Sequence, residues 1–541
     1  MATWRMRAMH GRARPVDMTE EPISIGRHPD NVVCLRDDRV SRYHCVVEPS
    51  GEGYVVRDLE SRNGIRVNGE QVITAPLRPG DVLRVGKSEF VIEAIEVAAE
   101  NGAAADLDAD RITPGAATPG WLKELMRILK ELPPKRDYAE RVQLISADGH
   151  PSVALEARGE GAAAVKALLR IASKARATDI HLEPKAEMLH VRMRVDGQMV
   201  WIGELPLRVG ELTIGLIRTA CQMKQAARDA VQDGHFSCRV EDRRVEFRVS
   251  LTPSVHGQKG VIRVLDRQDI PHSLEEMGLA PYMLDRIRRT CRQDQGLLLV
   301  CGPTGSGKTT TLYNGLREID RHAKNVVTIE DPVEYTIDGT TQLPVDEARG
   351  KGFSELLRSV LRQDPDVILV GEIRDEGTAR TAMQAAMTGH LVYSTVHAKD
   401  SISAVFRLLD LKVEPYLVAS SLDLVLAQRL VRVLCENCKR PIAISPGDAT
   451  KMGRFVQGKN QLFVPVGCSK CLATGYRGRR AIFELLDVND ELRDVILREP
   501  SIQSMKRVIE QGLFTTLVQS GWKLVAEGMT NVEEVERVAG G

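Results

Sequence analysis

Gly302-Pro303-Thr304-Gly305-Ser306-Gly307-Lys308-Thr309 fits the pattern G-x-x-x-x-G-K-[ST]; it follows the apolar run Leu297 to Cys301 and opens a helical stretch. That order commits the chain to a strand, a glycine turn and a helix, where backbone N–H groups and the positive end of a helix dipole meet a polyanion. Lys308 is placed to reach the terminal phosphates of ATP, and Thr309 to hold Mg²⁺. The nucleotide-binding set runs through Gly302, Pro303, Thr304, Gly305, Ser306, Gly307, Lys308, Thr309 and Thr310. A merely decorative glycine turn would require motif, strand and helix to coincide by accident.

From about 271 to 432 strands and helices alternate, with Leu297 to Cys301, Val326 to Ile329, Val367 to Val370 and Leu391 to Val396 reading as buried parallel strands of a doubly wound core. Ligands in such sheets bind beyond the carboxyl ends of the strands. The residues just past them are Glu330, Asp331 and Glu334, then Gly371 and Glu372, then His397. Carboxylates beside a triphosphate are costly unless they hold Mg²⁺ or orient a water. Glu372 is read as the Mg²⁺ or water-activating group, Glu330 as polarising the attacking water and His397 as a phosphate sensor. His390 and His397 stand seven positions apart across one strand, so they face opposite ways and one of them is structural.

Cys435-x-x-Cys438 and Cys468-x-x-Cys471 form two knuckles separated by 29 residues. The spacing is long, but loop-closure entropy grows only logarithmically. Four thiolates with no open position predict a structural Zn²⁺ site rather than a catalytic one; the competing reading is four buried thiols.

The chain has 541 residues, which predicts three or four domains. Its 74 basic and 74 acidic residues leave a formal net charge of zero, so no global field holds a nucleic acid. No apolar run approaches the roughly 20 residues needed to span a bilayer, and a cytoplasmic chain is expected. Residues 1–96 read as short β-runs punctuated by Asn63-Gly64, Asn68-Gly69 and Pro79-Gly80, an all-β sandwich. Residues 97–120, rich in Ala, Gly, Asp and Pro, read as a flexible linker. A helical connector follows at 121–154, with Leu122, Leu125, Leu129 and Leu132 at helical spacing, then an α+β domain at 155–270. The α/β core at 271–432, the tetracysteine segment at 433–482 and a helical segment at 483–541 complete the order.

The motifs of residues 155–490 resemble those of the secretion ATPases of type II secretion and type IV pilus assembly. Beside the phosphate loop, Thr328 to Tyr335 is similar to that family's aspartate box, Asp366 to Asp375 to its Walker B segment, and Thr388 to His397 to its histidine box. Thr178 to Pro184, Val191 to Gly197 and Arg248-Val-Ser resemble its preceding domain. The resemblance implies a PAS-like α+β domain, a RecA-like parallel-sheet core and a homo-hexameric motor that hydrolyses ATP. Its partner would be an inner-membrane platform protein, which would make the chain peripheral at that membrane. Arg248 and Arg263 would act as arginine fingers, with Arg194 a weaker candidate; a solvated strand face is their alternative. The cysteine knuckles favour assembly over retraction. The chain departs from the pattern at Asp229 to His235, where the family usually shows Arg-Leu-Pro-Gln-Asp-Gly-Arg, and at Gln258, where it has an acidic residue.

Gly26-Arg27, Ser41-Arg42-Tyr43-His44, Ser61-Arg62-Asn63-Gly64 and Val67-Asn68-Gly69 resemble a forkhead-associated (FHA) domain. In such a domain Arg27, Ser41 and Arg42 would clasp a phosphothreonine, Arg62 and Asn63 would hold the peptide, and His44 and Asn68 would brace the loops. The expected function is an ATP-driven assembly motor steered by phosphothreonine. Two other readings are a phosphopeptide adaptor with a poorly hydrolysing nucleotide switch, and a DNA-translocating motor, which the missing basic, aromatic-interleaved stretch disfavours.

Overall fold

The computed structural model describes residues 3–9, 16–18, 22–28, 31–35, 37–50, 53–59, 61–95, 118–133, 142–147, 149, 159–224, 229–240, 243–266, 270–498 and 500–540. It divides into two units, Met1–Leu107 and Asp108–Gly541. The linker expected over 97–120 lies outside the described residues except for its last three positions.

In the first unit, alternation of apolar and polar residues builds two sheets. One, in spatial order, is Val16–Met18, Thr3–Ala8, Ser88–Ile95, Val82–Val85, Ile65–Val67 and Glu70–Val72; the other is Val33–Cys34, Ile23–Gly26, Cys45–Ser50, Gly53–Asp58 and Thr74–Leu77. Inward-facing Met6, Ile25, Val47, Val56, Ile65, Leu83 and Phe90 fill the space between them. Asn68 and Gly69 both take positive φ, 51° and 88°, as a two-residue hairpin turn demands, and join Ile65–Val67 to Glu70–Val72.

The second unit opens with an α+β layer. Its sheet is antiparallel throughout, in the order Val142–Ile145, Gln232–Val240, Arg243–Ser254, Gly257–Leu265, Ala177–Pro184, Met188–Val195 and Gln198–Pro206. In Met188–Val195 every second residue is buried, so Leu189, Val191, Met193 and Val195 join the helix-covered core while His190, Arg192 and Arg194 face away. Helices Gly120–Glu131, Glu160–Ala175 and Leu207–Ala220 supply that core. The connector expected to be helical over 121–154 is corrected here. Among its described residues only Gly120–Glu131 is helical, whereas Val142–Ile145 pairs with Ser237–Val240 as an edge strand, a short run that its four cross-strand neighbours decide rather than its own periodicity.

The following sheet runs Thr341–Pro344, Val326–Glu330, Val367–Val370, Leu391–Val396, Gly296–Cys301, Leu422–Leu434 and Tyr476–Asp487. Its central strands are buried on both faces, with Leu297, Leu299 and Cys301 in one core and Leu298 and Val300 in the other. The four strands read as parallel, at Gly296–Cys301, Val326–Glu330, Val367–Val370 and Leu391–Val396, pair in parallel. Beyond the span 271–432, Tyr476–Asp487 adds an antiparallel strand beside Leu422–Leu434, and its last residues correct the expectation that 483–541 is helical from its start. The tetracysteine segment is therefore an excursion between two neighbouring strands of one sheet. Four helices, Asp490–Arg498, Ile502–Ile509, Leu517–Ala526 and Val532–Ala539, follow. Among the described residues no helix is long and apolar enough to cross a membrane.

Candidate functional site

Gly296–Cys301 delivers the chain into the glycine loop, and the helix Lys308–Arg317 leaves it. Gly305 and Gly307 take φ of +77° and +89°, which a side chain would strain. Lys308 folds back so that its ammonium donates to the carbonyls of Gly302 (3.0 Å) and Pro303 (3.1 Å). Burial pulls its pKa below the ordinary lysine value, while Glu372 acts in the opposite direction. The loop forms one wall of a cleft of about 1440 Å³ that is also lined by Thr304, Thr309, Thr310, Glu330, Glu372 and His397.

Glu372 lies just past Val367–Val370, is paired with Arg374, and has Oε2 3.4 Å from His397 Nε2. Arg374 also approaches Asp331 at 3.9 Å. Glu330 is held differently. It is 4% exposed; Thr328 Oγ1 donates to Oε1 at 2.5 Å, Gln342 Nε2 donates to the same oxygen at 3.1 Å, and the Tyr313 hydroxyl donates to Oε2. Three donors leave about one of roughly four carboxylate acceptor positions free, so Glu330, read as polarising the attacking water, and Glu372, read as the Mg²⁺ or water-activating group, occupy unlike settings. His390, at the other end of the strand from His397, donates through Nδ1 to the Ala385 carbonyl at 3.0 Å, near the end of the helix Glu376–Met387.

The opposite wall is the polar face of the antiparallel sheet. Register places His235, Arg248, Arg263, Asp179 and Arg194 opposite one another across five strands, so all five project from one face. Asp179, 8% exposed, receives Arg263 at 3.4 Å and Arg194 at 3.6 Å. Arg194, Arg263 and Asp179 line the same cleft as the glycine loop. Arg248 reaches further, donating to the Val333 carbonyl at 3.1 Å. The departures from the expected pattern fall at this sheet: His235 ends the cross-strand row, and Gln258 accepts from Arg218.

Several contributors escaped sequence reasoning. Gln428 bonds the Ser306 carbonyl and Arg429 lies against Gly302, both from Leu422–Leu434, and the signal available was two long polar residues inside an apolar strand. Arg374 lies two residues beyond Glu372, and Tyr313 one helical turn beyond Thr309.

The cysteines Cys435, Cys438, Cys468 and Cys471 gather so that all four Sγ lie within 4.8 Å of one another. The separations Cys435–Cys468 (4.0 Å), Cys438–Cys471 (3.9 Å) and Cys468–Cys471 (3.7 Å) sit near the ~3.8 Å edge of a tetrahedron with Zn–S of about 2.3 Å. Backbone N–H groups of Gly467 and Gly475 donate to Cys438 and Cys471 sulfur, each at 3.3 Å, a surrounding that suits thiolates. The donor set fits structural Zn²⁺.

In the first unit Arg27, Ser41, Arg42, Arg62 and Asn63 stand on neighbouring loops. The Arg62 amide donates to Ser41 Oγ at 3.0 Å, Asn63 Nδ2 to the Arg39 carbonyl at 2.6 Å, and Arg27 pairs with exposed Asp38 at 3.4 Å. Fully buried His44 joins the two loops, accepting from the Ser41 amide at 3.0 Å through Nδ1 and meeting the Gly64 carbonyl at 3.1 Å through Nε2. Asn68 bonds Asp81 and the Val82 amide.

A glycine loop at the carboxyl edge of a mainly parallel sheet, facing an arginine-lined antiparallel sheet, defines a phosphate-loop nucleotide-binding fold. The family "Type II/IV secretion system protein" matches residues 157–537, and the chain belongs to it; residues 23–86 match the FHA domain, which forms the N-terminal sandwich. The chain is 39% identical over 418 residues to the type II secretion system ATPase E of Vibrio cholerae, covering 77% of this chain and 80% of that one. It is 40% identical over 374 residues to the type II secretion system protein E of Aeromonas hydrophila, covering 69% and 74%. The Legionella pneumophila ATPase DotB shares the fold, with TM-score 0.53 at 21% identity over 69% of this chain and 94% of that one.

Proposed function

We propose that this chain is a Mg²⁺-dependent, hexameric ATPase motor that drives assembly of a type II secretion pseudopilus or a type IV pilus. It would work at the cytoplasmic side of the inner membrane through a platform protein. The observation that carries the reading is one cleft lined by Lys308, Glu372, His397 and Arg263. Water would attack the γ-phosphorus in line, the bond to the β-phosphate oxygen would break, and ADP would leave. Lys308 and the loop amides would bind the phosphates. Oxygen ligands suit Mg²⁺, and Thr309 would hold it. Glu372, facing the cleft, would either join Thr309 on Mg²⁺ or take the proton of the attacking water, and His397 at its side would report the state of the phosphates. Glu330, with three donors on its carboxylate, would fix the loop carrying Asp331 rather than the water. Arg263 and Arg248 would close from the sheet as fingers. Family membership supports a motor over a silent nucleotide switch.

The test is steady-state Mg²⁺-ATP hydrolysis across protein concentrations, with Lys308→Ala as the blank. Activity above the blank that rises per chain with concentration supports a motor completed by assembly, whereas a rate at the blank's level rejects the reading. The FHA domain would place a phosphothreonine on Arg27, Ser41 and Arg42 and its peptide on Arg62 and Asn63. A phosphothreonine peptide should then bind at least ~10-fold more tightly than its unphosphorylated form, and Arg27→Ala should abolish the difference. Equal binding of the two peptides would refute phosphothreonine control.

A further inference from the structure

The strand Leu422–Leu434 runs parallel to Gly296–Cys301, and beside the glycine loop its aliphatic sequence gives way to Gln428-Arg429. Burying two long polar side chains costs free energy unless their polar atoms find partners. Gln428, 2% exposed, uses both ends of its amide: Nε2 donates to the Ser306 carbonyl at 2.8 Å, and Oε1 accepts from Thr311 Oγ1. Arg429, 8% exposed, spreads its guanidinium over main-chain carbonyls. Nη1 donates to Gln428 O at 3.0 Å, and Nη2 to Ala398 O at 3.5 Å and to Lys399 O. Among the described residues no carboxylate forms an ion pair with it. Its hydrogen bonds all go to neutral oxygens, and burial draws its pKa below the ordinary arginine value although the Asp400 and Glu484 carboxylates act in the opposite direction.

The same guanidinium backs the glycine loop. A Cβ at Gly302 would stand 3.1 Å from Arg429 Nη1 and 2.6 Å from the Gln428 carbonyl oxygen. One side of Arg429 thus abuts the first residue of the phosphate loop, and the other grips the main chain immediately after His397.

We infer that Arg429 is a positioning residue for the terminal phosphate: it ties the His397 loop to the phosphate loop and sets a fixed positive charge behind both. A triphosphate carries more charge than a diphosphate, and a preorganised guanidinium favours the more charged ligand without reorganising. Lysine would keep the charge but cannot span three carbonyls, since an ammonium lacks the planar fork. The inference rests on the nucleotide site proposed above.

The test uses the full chain and reads equilibrium binding of fluorescent ADP and of a non-hydrolysable fluorescent ATP analogue to wild type, Arg429→Met, Arg429→Lys, His397→Ala and the Arg429→Met/His397→Ala double variant. Arg429→Met should shift the affinity ratio toward ADP by about 5-fold or more while ADP affinity stays within about 2-fold. Arg429→Lys should recover only part of the ratio. Because Arg429 acts through the His397 loop, the double variant should match the worse single variant instead of multiplying the two shifts. An unchanged ratio, affinities that fall together, or multiplying shifts would overturn the inference. If Arg429→Met does not fold, Arg429→Lys decides: a full wild-type ratio refutes the bridging role, and a partial shift supports it. Wild-type hydrolysis against the Lys308→Ala blank is read in parallel, so failure of the ATPase reading appears there and leaves the binding ratio to judge Arg429.

Discussion

Single residues set the limits of the nucleotide site. Tyr313 is fully buried with its hydroxyl on Glu330, and burial, then that bond, pushes the phenol well above its ordinary pKa. Tyr313→Phe removes one donor and leaves a buried carboxylate oxygen short of a partner. The expected cost is about 1.5–3 kcal/mol of stability, read as a lower denaturant midpoint with unchanged slope. No shift in midpoint would mean that Glu330 is satisfied without Tyr313. Gly302 is constrained by space rather than by hydrogen bonds: a Cβ there would lie 2.5 Å from Ser306 Oγ and 2.6 Å from Gln428 O. Backbone cannot yield as a flexible side chain does, so Gly302→Ala should weaken nucleotide binding at least ~10-fold in a fluorescent-ADP titration. Binding within twofold of wild type would show that Leu422–Leu434 moves aside at little cost.

At the scale of elements, one strand joins two chemistries. Leu422–Leu434 borders the glycine loop in its middle and leads directly into Cys435 at its end, while Arg432 on the same strand reaches buried Glu534. Glu534 takes Arg432 Nη2 at 2.6 Å, the Arg432 amide at 3.0 Å, and Arg537 at 2.7 and 2.8 Å. Burial alone would raise its pKa; the hydrogen bonds from Arg537 and Arg432 outweigh burial and bring it from 4.5 down to about 2. A depressed carboxylate stabilises the fold fully above its unfolded pKa and loses that contribution as pH falls toward the folded value. Denaturant unfolding between pH 6 and pH 3 should therefore show stability declining below about pH 4.5 in wild type. Glu534→Gln should be weaker by roughly 3–5 kcal/mol at pH 6, with a flatter decline, because two arginines lose their partner. Parallel pH curves would remove Glu534 from this account. The phosphate loop and the cysteine knuckles were legible because each is local: a motif between a strand and a helix, and paired cysteines at fixed spacing. Gln428 and Arg429 were not, because their importance comes from lying next to Gly296–Cys301 in the sheet, and strand order is a long-range property that local pattern does not carry. Tyr476–Asp487 was read as the end of the tetracysteine segment and the start of a helical one for the same reason, since its partner lies on the far side of the tetracysteine excursion.

For the whole molecule, zero net charge conceals a strongly patterned interior: a row of arginines on one sheet faces a phosphate loop on another. The family motifs named both sides in advance, while the register that aligns Arg248, Arg263, Asp179 and Arg194 came only from strand pairing. That alignment bears on how an oligomer would share its sites. Arg263 and Lys308 line one cleft of a single chain, so the finger proposed for that site would come from the same chain as the loop. Losing a finger of this kind typically costs about 10³-fold or more in rate, so Arg263→Ala chains should be nearly inactive, as should Lys308→Ala chains. Mixing the two variants under assembling conditions distinguishes the arrangements. With loop and finger in the same chain every site in the mixture carries one defect, and the activity should equal the sum of the separate preparations. Fingers delivered between chains would pair an intact loop with an intact arginine at a fraction of sites, and activity would rise well above that sum. Such a rise, with Arg263→Ala alone remaining low, would assign the arginine row to the neighbour's nucleotide.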